Sequence, residues 1–186
     1  HFTNPNLIDE LWMDRPERKY SSIFDHPINY SGIETSNKVD QFIQELKNNH
    51  LDSYFLSSLD SIAWLLNLRG DDILYTPLTF AYLFISVETK PILYLCTKKL
   101  NIDLKNRLSN FLFIESIEKI ENIFNNSTKN LKIGFDYKNT SYFFYNLALK
   151  NNHIPSNLEN PCLIPKAIKN ETELEGSRKA HIRDGV

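Results

Sequence analysis

Residues 52–70 read DSYFLSSLDSIAWLLNLRG, and this stretch decides the fold. Its first part, residues 52–58, is short and aromatic with a polar residue at each end, which predicts a strand buried on both faces. Asp60 and Ser61 then favour a helix start, and apolar residues follow at helical spacing. These are Leu59, Ile62, Ala63, Leu65 and Leu66. The stretch therefore predicts a buried strand that feeds a short helix.

The helix is followed by charge, at Arg69-Gly70-Asp71-Asp72. We expect the permissive Gly70 to end the helix, and residues 68–72 to form a charged loop at one edge of a sheet. In open α/β sheets, ligands are met at the carboxyl ends of the strands. Arg69 has a second interpretation, as a cation that caps the carbonyls at the end of the preceding helix.

Helix and strand patterns alternate on both sides of this stretch. Residues 36–49 predict an amphipathic helix with Phe42 and Leu46 on its apolar face and Lys38 off that face. Residues 80–87 and 92–97 predict two strands joined by a tight turn, an antiparallel hairpin. Further helices are predicted at 100–109, 116–124 and 140–150, and further strands at 111–114 and 131–136. The pattern predicts an α/β fold, a mixed β-sheet flanked by helices.

The two ends of the chain are less regular. Residues 4–20 predict a short helix halted by Pro16, and residues 21–32 an irregular segment in which His26 is a packed side chain rather than a ligand. Pro155, Pro161 and Pro165 break the pattern near the other end. A new helix is then predicted from the N-cap Asn170, with Glu173 completing a capping box.

The composition excludes several classes of function. In a chain of 186 residues, a net charge of −2 gives no reason to expect nucleic acid as a partner. No apolar run reaches the roughly 18 residues that span a membrane. The two cysteines, Cys96 and Cys162, cannot form a disulfide framework and indicate a reducing, cytoplasmic compartment, with Cys96 as a buried thiol. The five histidines have no metal-ligand spacing, and the five glycines form no phosphate loop.

Four blocks of sequence carry a resemblance to a known family. They are Asn6–Trp12 with Asp14-Arg15-Pro16, His26-Pro27 with Tyr30, Gly32 and Lys38, Leu59–Gly70 with Asp72 and Tyr75-Thr76-Pro77, and Lys166–Asn170 through His181–Val186. In this order they resemble the middle domain of three-domain Xaa-Pro aminopeptidases, the aminopeptidase P branch of the creatinase superfamily. Residues 101–157 follow by position only.

The resemblance implies a creatinase N-terminal-type fold with a ribonuclease H-like arrangement. It implies three segments: residues 1–20 as a linker from a preceding domain, residues 21–160 as the α/β domain, and residues 161–186 as a linker with the first helix of a catalytic domain. It also implies that the two divalent metals of the parent enzyme, usually manganese, bind in that catalytic domain and not in this chain. Trp64, Arg69, Asp71 and Asp72 are the implied candidates for lining the substrate approach, with no catalytic residue in this chain.

Two functions remain open. The first is a non-catalytic domain of an Xaa-Pro aminopeptidase, which packs on the catalytic domain of the same chain and shapes the access of peptide substrates. The parent is then a cytoplasmic metallopeptidase, and a homodimer is compatible with the resemblance. The alternative is a stand-alone binding or interaction module of the same fold without peptidase activity. The helix predicted from Asn170 favours the first function, because an independent module has no need of it.

Overall fold

The computed structural model of the chain describes residues 7–16, 21–125 and 129–185. The described residues form eight α-helices, eight strands and two 3₁₀ helices. The helices are α1 (Leu7–Leu11), α2 (Ile28–Ser31), α3 (Thr35–Asn48), α4 (Leu59–Leu66), α5 (Ile102–Ser109), α6 (Tyr142–Lys150), α7 (Leu163–Ala167) and α8 (Glu171–Asp184). The strands are β1 (Ile23–Asp25), β2 (Ser53–Leu56), β3 (Leu68–Gly70), β4 (Ala81–Ser86), β5 (Ile92–Leu95), β6 (Phe113–Ser116), β7 (Lys132–Phe135) and β8 (Ile154–Asn157). The 3₁₀ helices are Thr97–Lys99 and Ile117–Asn122.

Six strands form the main sheet, in the order β6-β5-β4-β2-β7-β8. β4 runs antiparallel to both of its neighbours, β2 and β5, and the other pairs are parallel. The sheet is therefore mixed and flanked by helices, which confirms the predicted fold class. The predicted hairpin is confirmed as β4 and β5.

The strand β2 lies at the centre of the core. All four of its residues are buried, as the sequence predicts. Side chains alternate along a strand, so Tyr54 and Phe55 point to opposite faces of the sheet. Tyr54 joins an aliphatic cluster with the helices α3, α4 and α5, while Phe55 joins an aromatic cluster with α6, where it lies 4.3 Å from the ring of Phe144.

A second sheet, of two strands, corrects the prediction of a charged loop over residues 68–72. Leu68–Gly70 is the strand β3, which pairs antiparallel with β1 in the segment predicted to be irregular. The helix α4 ends at Asn67 and not at Gly70, because Asn67 takes the left-handed conformation with φ 51°. Asparagine tolerates this conformation better than most residues. Strands of three residues are too short to produce a periodic pattern.

Several local expectations also differ from the structure. Lys38 is buried in α3, Cys96 is half-buried, and residues 117–122 form a 3₁₀ helix rather than an α-helix. The proline-rich segment from Pro155 contains the edge strand β8 and the helix α7. An edge strand accommodates proline because its outer N–H groups need no ladder partner. The helix predicted within residues 4–20 is present as α1, while residues 4–6 and 17–20 lie outside the described residues.

The helix α8 is fastened to α2 at its first turn. Asn170 is its N-cap and forms the predicted capping box with Glu173. The same Asn170 donates from Nδ2 to the carbonyl of Ser31 over 2.8 Å. Gly32 has a φ of +70°, and a Cβ there would lie 2.5 Å from Asn170 Oδ1. Glycine is needed at this position for both reasons, and it brings the two helices together.

Candidate functional site: a cationic groove at the end of α4

Three cationic side chains from separate elements reach the last turn of α4. Lys38 Nζ, on α3, donates to the carbonyl of Trp64 over 2.8 Å. Arg69 Nη1, on β3, donates to the carbonyl of Ala63 over 3.2 Å. Arg107 Nη2, on α5, lies 3.4 Å from the carbonyl of the last helical residue. The unpaired carbonyls at a helix C-terminus favour cations, so the end of this short helix gathers positive charge.

Lys38 is the most deeply buried of these cations, with 2% of its surface exposed. Its Nζ also donates to Asn67 Oδ1 over 2.7 Å and lies 4.5 Å from the centroid of the Trp64 ring. These partners are all neutral. Burial therefore lowers the pKa of Lys38 to about 8, against the opposing effect of Glu173. Lys38 fixes the end of α4 and the turn into β3.

Arg69 is half-buried and only partly engaged. Its Nη1 donates to the carbonyls of Ala63 and Leu68, the latter over 2.7 Å. Arg69 thus caps a carbonyl at the end of α4, as one of the two interpretations predicts, and uses only Nη1 to do so. Nε and Nη2 make no hydrogen bond with the residues that the structure describes. Burial lowers the pKa of Arg69, while Glu173 opposes this effect.

A groove of about 520 Å³ lies beside Arg69, between α4 and α8. We name it the α4–α8 groove. Its charged walls carry two pre-formed contacts: Lys166 pairs with Asp60, and Glu173 Oε2 accepts from the backbone N–H of Asn170 over 3.0 Å. The ring of His26 stacks on Tyr30 at 5.9 Å, and burial, followed by Arg69 and Lys38, lowers the pKa of His26. The lining residues are His26, Tyr30, Asp60, Ala63, Trp64, Arg69, Pro77, Leu78, Lys166, Lys169, Glu173, Gly176, Ser177 and Ala180.

Asp71 and Asp72 lie outside the lining of this groove. The carboxylate of Asp72 accepts from Thr79 Oγ1 and from the backbone N–H of Phe80, both over 2.8 Å, and pairs with Lys99. Ser21 Oγ adds a fourth contact at 3.0 Å. Burial alone would raise the pKa of Asp72, but these hydrogen bonds outweigh it and the pKa is lowered. Asp71 is exposed. The structure therefore brings Trp64 and Arg69 to one groove and leaves the two aspartates apart from it.

The described residues do not fit a metal centre. Within residues 7–16, 21–125 and 129–185, no group of three or more His, Cys, Asp or Glu side chains could hold a metal ion. No chemical step is therefore assigned to a metal on this part of the molecule. None of the described helices is long and apolar enough to cross a membrane.

A family model for the creatinase/prolidase N-terminal domain matches residues 14–173. The chain belongs to this family. It is similar to the probable Xaa-Pro aminopeptidases P of Leptosphaeria maculans and Ajellomyces capsulatus, at 33% and 35% identity over 97% of the chain. The chain spans 31% of the length of these curated relatives.

Solved structures agree with this family. The X-prolyl aminopeptidase of Caenorhabditis elegans, described as a cytosolic enzyme with a di-nuclear active site, superposes with a TM-score of 0.84 at 26% identity. The match covers 96% of this chain and 30% of the nematode enzyme. The prolidase of Pyrococcus horikoshii shares the fold, with a TM-score of 0.54 at 18% identity.

Lys38 was named in the resemblance but predicted off the apolar face, and the small residues of α8 that line the groove were missed. Lys38 precedes Phe42 by four residues, and Phe42 precedes Leu46 by four. Residues four apart share a helix face, so this spacing was the signal that Lys38 lies on the buried side. The prediction placed Lys38 on the polar face because lysine is charged, although its spacing from Phe42 and Leu46 indicates the apolar face. The approach of α8 to Arg69 had no local signal.

Proposed function

We propose that this chain is a non-catalytic domain of an Xaa-Pro aminopeptidase, an enzyme that removes the N-terminal residue from peptides with proline in second place. The supporting observation is the coverage of the relatives. Proteins of that name align with 97% of this chain but with only 31% of their own length. In this proposal the remaining two thirds of the parent enzyme contain the catalytic domain. This chain then consists of a linker (residues 1–20), the α/β domain (residues 21–160) and a linker with the first helix of the catalytic domain (residues 161–186).

The metals belong, in this proposal, to the part of the enzyme outside this chain. There, two divalent ions, manganese by our proposal, activate water for attack on the peptide bond. The di-nuclear active site of the nematode relative supports this assignment. The proposal also places the enzyme in the cytoplasm, as the nematode enzyme is described, and allows a homodimer.

The role of this chain is to pack against the catalytic domain and to narrow the approach of substrates. Trp64 and Arg69 line this approach through the α4–α8 groove. Asp71 is exposed but lies outside the groove lining. Asp72 supports it indirectly, because its contacts hold residues 72–80 in place beside β3. The groove favours short peptides, since a long or folded substrate does not fit between two packed domains.

The experiment compares this chain with the full product of its gene. Each is purified and tested for manganese-stimulated release of the first residue from an Xaa-Pro-Xaa tripeptide, with metal content measured in parallel. We expect an active, metal-containing full product and an inactive chain without stoichiometric manganese or zinc. Peptidase activity of the chain alone would contradict the proposal. A full product without peptidase activity would instead support a stand-alone binding module.

A further inference from the structure

Arg69 presents unused hydrogen-bond donors beside the α4–α8 groove. Its Nη1 is held by the carbonyls of Ala63 and Leu68, at 3.2 and 2.7 Å, and this fixes the guanidinium group. Nε and Nη2 make no hydrogen bond with the described residues. Two N–H groups on one edge of a guanidinium match the two oxygens of a carboxylate. Arg69 is thus positioned in advance, with one edge available for an anion.

The positive charge beside the groove is offset only in part by the described residues, through the carboxylates of Asp60 and Glu173. Lys166 and Asp60 pair with each other, and Glu173 is held by the backbone N–H of Asn170. Glu173 interacts with Arg69 and Lys38 through its charge, but within the described residues neither cation donates a hydrogen bond to a carboxylate. Lys38, behind Trp64, donates there to neutral acceptors. Cations removed from water without a counter-ion are destabilised. A bound anion would offset this cost.

Gly176 lies in the interior of α8, and no close neighbour in the described chain requires a glycine at this position. A Cβ built at this position meets nothing within 4 Å, and Gly32 is the positive-φ glycine of the described residues. Glycine inside a helix is destabilising relative to alanine. Gly176 lines the α4–α8 groove together with Ser177 and Ala180. The glycine leaves room for another main chain to approach α8 closely.

We propose that the α4–α8 groove binds the C-terminal carboxylate of a short peptide. The carboxylate lies on Nε and Nη2 of Arg69, and the peptide main chain passes along α8 at Gly176. The exposed Tyr30 and the half-buried His26 also line the groove. A carboxylate bound at a fixed place limits the distance from the groove to the peptide N-terminus, so the groove would select peptides by length. This selection by length rests on the proposed function. Binding itself does not depend on that function.

The test follows this chain by NMR during titration with Ala-Pro-Ala, with its C-terminal amide and with acetate. We expect saturable shifts at the Gly176 amide, the Trp64 indole N–H and the His26 ring, and at least roughly tenfold weaker binding of the amide. The bound carboxylate should also raise the pKa of His26, which Arg69 and Lys38 lower in the free chain. Equal affinities for acid and amide would overturn the proposal.

Acetate distinguishes the source of the carboxylate. A side-chain carboxylate of another part of a longer polypeptide presents the same chemistry as acetate, without a peptide main chain. The tripeptide should therefore bind more tightly than acetate, because it alone contacts α8. If acetate bound equally well with the same shifts, the assignment to a peptide C-terminus would be wrong.

Three variants locate the site. Arg69→Gln should weaken the binding of the acid roughly tenfold or more and leave that of the amide unchanged. Gly176→Leu should weaken both, since it fills part of the groove from a position where a Cβ meets no atom within 4 Å. Arg178→Gln is the matched control, because Arg178 lies on α8 outside the groove lining and pairs with Glu171 and Glu175. If Arg178→Gln and Arg69→Gln weakened the binding of the acid equally, the effect would come from the net charge of the chain, and the proposal would be overturned.

The outcome is separable from that of the proposed function. A full gene product without peptidase activity leaves carboxylate binding by this chain intact. An active peptidase whose α4–α8 groove fails to bind the tripeptide overturns the groove assignment alone.

Discussion

Arg69 and Asp72 are three residues apart, and the structure uses them in opposite ways. The carboxylate of Asp72 is 2% exposed and receives hydrogen bonds from four groups of the described chain, Lys99 among them. Arg69 lies beside a groove and donates from Nη1, while its other two nitrogens make no hydrogen bond within the part of the chain that the structure describes. A fully satisfied buried charge indicates a structural role, whereas a half-satisfied one indicates capacity for a ligand. The same charged motif thus contains a structural residue, Asp72, and a candidate for ligand binding, Arg69.

The largest expected effect tests the structural half of this comparison. Asp72→Asn removes the buried carboxylate that pairs with Lys99, whose side chain is 3% exposed. Breaking such a pair from one side costs about 3–5 kcal/mol. We expect urea unfolding to report a loss of this size. Asp71→Asn, at the exposed neighbour, is the control and should stay within about 0.5 kcal/mol of the wild type.

Acid should reveal the same role for Asp72. Its pKa is lowered in the folded state, so its stabilising effect is present above its unfolded pKa and is lost as pH falls through the folded value. We therefore expect the unfolding free energy of the wild type to fall below about pH 4. Asp72→Asn should remove part of this pH dependence in urea titrations at pH 3 and 6. An unchanged acid slope in the variant would argue against the assignment.

The next effect tests the functional half. Arg69→Ala in the full gene product should lower kcat/KM for a tripeptide roughly ten- to a hundredfold, since a charge-assisted hydrogen bond contributes about 1.5–3 kcal/mol. The melting temperature should change little, because the two lost capping bonds involve a half-exposed side chain. A lower melting temperature with intact kcat/KM would make Arg69 a helix cap only, and the contrast with Asp72 would disappear.

Lys38 supplies an intermediate case, a buried cation with neutral partners. Its folded pKa of about 8 lies below the unfolded value, so the cost of burying its charge is present below pH 8 and is relieved as pH rises towards 10.5. Between pH 8 and 10 the wild type should gain about 2 kcal/mol of stability relative to Lys38→Met. Urea unfolding at both pH values checks this. Parallel curves for wild type and variant would show that Lys38 is well solvated.

The smallest effect concerns Gly176. Gly176→Ala should stabilise this chain by about 0.5–1 kcal/mol, because alanine favours the helix and meets no atom at this position. Thermal unfolding and hydrogen exchange in α8 measure the gain. A stabilising change that weakens peptide binding would sharpen the comparison, since stability is often sacrificed where a ligand binds. Destabilisation would mean that Gly176 has a structural role.

The sequence predicted the architecture well because its signals there are periodic. The burial of β2 on both faces, the β4–β5 hairpin and the capping box of Asn170 and Glu173 all follow from local patterns. The family resemblance rests largely on other blocks, within residues 6–16, 26–38, 59–77 and 166–186, and the family model matches residues 14–173.

The candidate site was predicted less completely, since its parts meet only in three dimensions. Trp64 and Arg69 were identified, but their neighbours in the groove come from α8, more than 100 residues further along the chain. The division of labour between Arg69 and Asp72 depends on Lys99 and Thr79, whose approach to Asp72 has no local pattern. The charges of the motif are visible in the sequence, whereas the different hydrogen bonding of Arg69 and Asp72 is visible only in the structure.

The joint between Gly32 and Asn170 also has a mechanical consequence. It clamps the first turn of α8 to α2, whereas the rest of this 14-residue helix extends about 21 Å away from that point. The helix α8 can therefore rotate as a rigid rod about its attachment at Gly32. A tilt of about 10° there moves its far end by about 4 Å, given a rise of about 1.5 Å per residue. A small change of angle at Gly32 is therefore amplified along the helix, whereas a displacement of its far end produces only a small change of angle at Gly32.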